Sequence, residues 1–186
     1  MSGYAVASAA PRSYTGVAKG LHWLIAALVV LQFVTKLMPP GAMTEQALNA
    51  WHLAIGPAIL LIMLLRLAWR LTHTPPPPPA DLSPVLQFVS RATHWAFYAI
   101  LILLPIGGWM SASGFGARPT LLGLFPLPML IDKDKAAAET WGEIHGVFAW
   151  VLLGLIGLHI LGALYHLAVK KDGVMGRMLP GEPISS

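Results

Sequence analysis

The chain has 186 residues, of which 56% are hydrophobic and 11% charged, with a mean hydropathy of +0.66, values that exclude an ordinary soluble domain and indicate an integral membrane protein. Its net charge of +4 comes from basic residues scattered between apolar runs instead of gathered on one face, which excludes nucleic acid as a partner. Cysteine is absent, so disulfides, cysteine-ligated iron–sulfur clusters, thiolate-ligated haem and covalently attached haem are excluded as well.

The opening residues, MSGYAVASAAPRSYTG, lack the basic-then-apolar order of a secretory signal and read as a frayed tail. The first apolar span covers about residues 17–37, has His22 near its start, and is stopped by Pro39, Pro40 and Gly41. Thr44 followed by Glu45 marks a helix start, and the second span covers about residues 49–71 with His52 near its beginning. The connector HTPPPPPADLSP favours stiff polyproline II, with His73 solvated. A third span covers about residues 92–113, with His94 beside Trp95 as an interfacial anchor and a kink expected at Pro105, Gly107 and Gly108. The loop from Gly114 to Thr140 mixes apolar residues, prolines and alternating charges, and is expected to be ordered at the membrane surface, over a cofactor. The fourth span, about residues 143–169, carries His145, His159 and His166.

Four successive spans imply an all-α, four-helix membrane bundle forming a single membrane domain. Lysine and arginine set its expected orientation. Arg12, Lys19, Arg66, Arg70, Arg91, Lys170, Lys171 and Arg177 fall on one side, against Lys36, Arg118, Lys133 and Lys135 on the other, which puts both termini in the cytoplasm.

His145 and His159 are fourteen residues apart, nearly four helical turns, so they share a face roughly 21 Å apart along the axis. An ionisable residue inside such a span is a functional signal. Antiparallel threading brings His22 to the depth of His159 and His52 to the depth of His145. Two bis-histidine sites, one near each membrane face, suit two b haems in a transmembrane electron path, because iron with two protein ligands has no open position for oxygen activation. Met63 and Met110 are minor alternatives as a sixth ligand. Gly56, Gly146, Gly154, Gly157 and Gly162 would give a flat porphyrin access to backbone, or else pack helices closely. His166, about 10 Å beyond His159, suits a haem propionate or a quinone carbonyl. Arg66 and Arg70 would pair with propionates or snorkel to lipid phosphate.

The segments GLHWLIAALVVLQF, NAWHLAIGPAILLIMLLRLAWRLTHTPPPPP, THWAFYAILILLPIGGWM and WGEIHGVFAWVLLGLIGLHILGALYH together resemble the bacterial cytochrome b561 family, part of a wider group that includes hydrogenase cytochrome b subunits. The resemblance covers about residues 15–180. It implies a multi-pass protein of the bacterial inner membrane with two b haems, His22 and His159 holding the cytoplasmic one, His52 and His145 the periplasmic one, and His166 near a quinone. It further implies superoxide oxidation at the periplasmic face with ubiquinone reduced near the cytoplasmic face. A small anion requires positive guidance, for which Lys133, Lys135 and Arg118 are the candidates, interleaved with Asp132 and Asp134. The alternative is a quinol-linked electron-transfer or anchor subunit serving a periplasmic redox protein.

Overall fold

The computed structural model describes residues 13–39, 41, 43–79 and 82–179. The first twelve residues of the expected tail, and Pro40 of the first stop signal, lie outside the described residues. Four helices, each long and apolar enough to cross a membrane, account for most of the chain: α1 (Gly16–Leu37), α2 (Glu45–Thr72), α3 (Pro84–Gly114) and α4 (Lys135–Tyr165). Between α3 and α4 the short strands β1 (Thr120–Leu121) and β2 (Phe125–Pro126) pair antiparallel.

Each helix starts at a side-chain cap that satisfies an otherwise orphaned backbone donor. The hydroxyls of Thr15, Thr44 and Ser83 accept from the amides of Ala18, Ala47 and Leu86, and the Asp134 carboxylate accepts from Ala137. The Thr44 start is as expected. Helices α3 and α4 begin about two turns before their apolar spans, because Ser83–Pro84 and Asp134 are stronger helix starts than the polar residues after them are breaks. Helix α3 continues unbroken through Pro105, and α2 through Pro57.

Helix α1 packs along α2, α2 along α3, and α3 most extensively along α4. The α3–α4 seam keeps a constant antiparallel register. Gly114 meets Ala138 so closely that an added Cβ would lie 2.8 Å from the alanine methyl, Ser111 Oγ donates to Ala138 O at 2.8 Å, and a Cβ on Gly142 would be 3.1 Å from that hydroxyl. Small residues and an interhelical hydrogen bond are what draw helices together where lipid is as apolar as leucine. Backbone approach of α4 to α1 and α2 is slight by comparison.

The middle of the bundle is filled by Ile25 and Val29 of α1, Ile55, Ile59 and Met63 of α2, Leu101 of α3 and Leu152 of α4. Leu152 lies seven residues from both His145 and His159 and is 2% exposed, so an apolar layer separates the two histidine levels. Outward-facing side chains such as Val30, Leu103, Val147, Trp150 and Leu161 are exposed, as a lipid-contacting surface requires.

Beyond Tyr165 the chain makes a π-helical turn, His166–Lys170, and reverses at Lys171 (φ 52°) and Gly173 (φ 73°). The segment after it straps the end of the bundle. Tyr14 N donates to Arg177 O at 3.3 Å, Trp23 Nε1 to Met178 O at 3.0 Å, and Arg177 Nη1 to Pro77 O at 2.6 Å. The start of α1, the proline connector and the end of α4 therefore share one end of the bundle, and His52 and His145 lie toward the other.

Candidate functional site

The bundle brings the four histidines singled out by their depth into two pairs. His22 and His159 have ring centroids 6.2 Å apart, with planes at 70°. His52 and His145 stand at 6.0 Å and 75°. Two imidazole nitrogens each about 2.0 Å from a metal between them, with ring centres ~1.1 Å behind the nitrogens, give centroids about 6.2 Å apart. Both pairs are at that spacing. Among the described residues no group of three or more histidine, cysteine, aspartate or glutamate side chains is arranged to hold a metal ion. A bare ion would be under-coordinated by two imidazoles, whereas a porphyrin brings its own four equatorial nitrogens and needs only the two axial ones. The donor set fits haem.

Hydrogen bonds to the outer ring nitrogens set which nitrogen faces the partner histidine. His145 Nδ1 donates to the Leu104 carbonyl at 2.9 Å, leaving Nε2 as the free lone pair. His52 Nδ1 meets Thr35 Oγ1 at 3.1 Å; since that hydroxyl donates its own proton to Gln32 O at 2.7 Å, it accepts from the imidazole. Gln32 Nε2 donates to His52 O at 3.2 Å, while its Oε1 is buried with no partner. Such outer partners fix ring orientation and raise the basicity of the ligating nitrogen.

The His145 ring is seated by Gly108. A Cβ there would lie 2.9 Å from His145 Nδ1 and 3.0 Å from its Cε1. Glycine at this position is thus explained by a close approach to the ring. Gly146, Gly154, Gly157 and Gly162, expected to admit a porphyrin, all have open space where a Cβ would be. Gly154 is nine residues from His145, half a turn away on the opposite face, so its open space belongs to the lipid side.

The seam register that puts Gly108 against His145 puts His94 against His159. His94, expected as an interfacial anchor, is exposed; its ring also lies 5.7 Å from that of His159, and its Nδ1 donates to Ser90 O at 2.6 Å. Phe97 covers the other part of His159 at 5.4 Å. The spacing from His94 to Gly108 is fourteen residues, the same as from His145 to His159. That repeat was the available signal.

Arg66 donates to Ala18 O at 2.9 Å, one turn before His22 on α1. Arg70 is half-buried one turn further along α2. His73 stacks on Trp69 at 3.7 Å, outside both pairs. His166 Nδ1 donates to Asp172 Oδ2 at 2.7 Å, with both side chains mostly covered, and Asp172 Oδ1 also accepts from Val174 N. Linear spacing carries no sign of the Asp172 contact, because this partner lies beyond the helix reversal.

At the other end, the chain just past β1 packs on α2 through Leu122 N donating to Ala54 O at 3.1 Å, two residues past His52. Lys135 is solvent-exposed and 3.6 Å from Glu139, the Lys133 side chain lies across Gly116, and Arg118 is exposed. Lys36, which the sequence marked only as a charge, donates to Asn49 Oδ1 at 2.7 Å, three residues before His52 on α2.

Residues 13–181 match the family model described as prokaryotic cytochrome b561. The chain is 28% identical to "Cytochrome b561 homolog 2" of Escherichia coli K12 over 176 residues, covering 91% of this chain and 92% of that protein. It is 29% identical to "Probable superoxide oxidase CybB" of Yersinia pestis over 173 residues, covering 91% and 97%. A third similar protein is "Cytochrome b561 homolog 1" of Escherichia coli K12, at 26% identity.

Proposed function

Because the chain belongs to the prokaryotic cytochrome b561 family, a b-type cytochrome of electron transfer with four membrane-spanning helices in the bacterial inner membrane, we propose that it oxidises superoxide at the His52–His145 end and reduces ubiquinone at the His22–His159 end. The observation that carries this reading is the pair of bis-histidine sites at 6.2 and 6.0 Å, one toward each end of the bundle. Haem b, if held by each of these pairs, would supply a one-electron iron couple. The Yersinia relative's name favours superoxide as the reductant. The positive-inside count supports a periplasmic place for the His52 end.

Each part of the chain has a task in this reading. Thr35 and Leu104 hold the His52 and His145 rings with Nε2 inward, and Gly108 gives the second ring its room. The layer around Met63 and Leu152 keeps water out of the middle. Arg66, with Arg70 behind it, offers guanidinium donors to haem carboxylates near His22 and His159. His166, held by Asp172, offers its remaining ring nitrogen to a quinone oxygen. Two superoxide ions leave as two dioxygen molecules, and their two electrons with two protons convert one ubiquinone to ubiquinol. Lys133, Lys135 and Arg118 add positive charge on the surface where superoxide arrives.

Stopped-flow mixing of the oxidised protein with superoxide tests the reading. Reduced b-type absorbance is expected at a second-order rate of about 10⁸ M⁻¹s⁻¹, the diffusional range, followed by ubiquinone-dependent reoxidation. Haems left oxidised by superoxide but reduced by ubiquinol would instead establish a quinol-linked subunit for a periplasmic redox protein. The exposed apolar tip of the β1–β2 hairpin, with Leu124 and Phe125, is the surface that second reading would use.

Thr35→Val is expected to raise the midpoint potential of the His52–His145 haem. Losing the Thr35 acceptor makes His52 a weaker electron donor and stabilises ferric iron less. A net hydrogen bond of about 1 kcal/mol corresponds to roughly 40 mV for one electron, resolvable by a spectroelectrochemical titration. An unchanged potential would remove Thr35 from the list of tuning residues.

A further inference from the structure

Where α4 ends, the backbone leaves regular helix geometry to make one side-chain contact. The π-helical turn His166–Lys170 is closed by Lys171 N donating to His166 O at 2.7 Å, and Lys171 itself is left-handed, with φ 52°. That conformation is costly for a residue with a side chain, and both it and the π-turn recur where a fold serves a site. What the turn achieves here is the return of Asp172 onto His166, with Oδ2 2.7 Å from Nδ1.

The carboxylate is fixed from behind. Asp172 Oδ1 accepts from Val174 N at 3.1 Å. Further along the same segment, Arg177 O accepts from Tyr14 N at 3.3 Å and from Ser13 Oγ at 3.1 Å, and Met178 O accepts from Trp23 Nε1 at 3.0 Å. The strap that carries Asp172 is thus tied to the start of α1, where Trp23 meets the His22 ring edge-on at 5.3 Å. His166 is held before any ligand arrives. With side chains 19% and 14% exposed, the two groups are confined yet reachable at the end of the bundle.

The kind of acceptor matters. Nδ1 of His94 and of His145 goes to a backbone carbonyl, which fixes a tautomer and no more, whereas Nδ1 of His166 goes to a carboxylate. A carboxylate only accepts, so Nδ1 keeps its proton and Nε2 is the nitrogen left to act. With Nε2 protonated as well, ring and carboxylate form a charge-neutral, charge-assisted pair.

We propose that Asp172 is the positioning residue that makes His166 the proton donor in quinone reduction at the His22–His159 end. The inference rests on the quinone reading above. Converting a quinone to a quinol takes two electrons and two protons. The electrons come from the His22–His159 centre, one proton passes from His166 Nε2 to a quinone oxygen, and water supplies the other. The ring then regains its proton from water at this end of the bundle. Between the two events Nε2 is a lone pair, which accepts from the new quinol hydroxyl, so one ring serves substrate and product.

The test uses the full-length, haem-loaded protein in nanodiscs, reduced with dithionite, freed of excess reductant and mixed with ubiquinone-1, so superoxide plays no part. Asp172→Asn is expected to lower the maximal rate of haem reoxidation about a hundredfold, the lower end of what a positioned general acid contributes, with little change in KM. His166→Gln should lose the same factor. The double variant Asp172→Asn/His166→Gln should be no slower than His166→Gln, because a residue that acts through another adds nothing once that one is gone. Asp172→Glu, which keeps the carboxylate, should recover part of the rate. Haem content, and reoxidation by ferricyanide, an acceptor that takes no proton, should match wild type throughout. An unchanged maximal rate in Asp172→Asn, losses that multiply in the double variant, a raised KM at full maximal rate, or equal slowing with ferricyanide each overturns the proposal. If ubiquinone-1 leaves the wild-type haems reduced, the quinone reading falls and takes the proposal with it; a fast wild type with an equally fast Asp172→Asn removes the proposal alone.

Discussion

Replacing His145 with alanine is expected to lower the haem content from two per chain to one, leaving a single low-spin b-type signal. The geometry gives the reason: His145 and His52 are the two imidazoles of one pair, 6.0 Å between centroids, and among the described residues no third metal-ligand group stands ready to replace either. His52→Ala should remove the same haem, whereas His22→Ala and His159→Ala should both remove the other. The double variant His52→Ala/His145→Ala should therefore keep one haem, while His52→Ala/His159→Ala should keep none. Pyridine haemochrome quantification against protein concentration gives the count. Unchanged haem content in His145→Ala would sink the ligand assignment.

Gly108→Val should produce much of the same loss while leaving every histidine in place. Even the first carbon of a side chain would stand 2.9 Å from His145 Nδ1, the same nitrogen that is held by its bond to Leu104 O one turn earlier on α3. Backbone on a tightly packed seam cannot give way as a flexible side chain can, so the ring must leave its hydrogen bond. Disturbing such an outer contact typically costs ten- to a hundredfold in metal-site affinity, and haem retention at the His145 end is expected to fall by about that factor. Gly154→Val meets open space on the opposite helix face and should retain both haems. Equal haem loss in the two glycine variants would mean that the damage is to helix insertion and not to the His145 seat.

Much of the fold is legible because a membrane imposes it. Four apolar runs separated by Pro39, the proline connector and the charged loop had few alternatives to four spanning helices, since backbone groups in lipid must pair within their own segment. The histidine pairs were legible for a related reason: helical periodicity places His145 and His159 on one face, and antiparallel threading matches their depths to His52 and His22. The helix starts at Ser83 and Asp134 were less so, because a cap two turns outside the apolar stretch leaves no mark in a hydropathy pattern.

Contacts across helices were decided by tertiary packing alone. Nothing in the sequence fixes the rotation of α3 about its axis, and that rotation makes Gly108 the seat of His145 and brings His94 beside His159. The π-helical turn and the reversal at Lys171 and Gly173 swing Asp172 back onto His166, a pairing that linear spacing does not encode. Lys36 acquired its place from the α1–α2 packing that tied it to Asn49 beside the His52 level. By itself the sequence determined which residues lie in the membrane, how deep each histidine lies and which share a helix face, since those follow from a fixed rise and pitch. The tertiary structure decided which side chains orient, seat and approach the two pairs, because helix rotation and seam register depend on small residues meeting across an interface that no single helix contains.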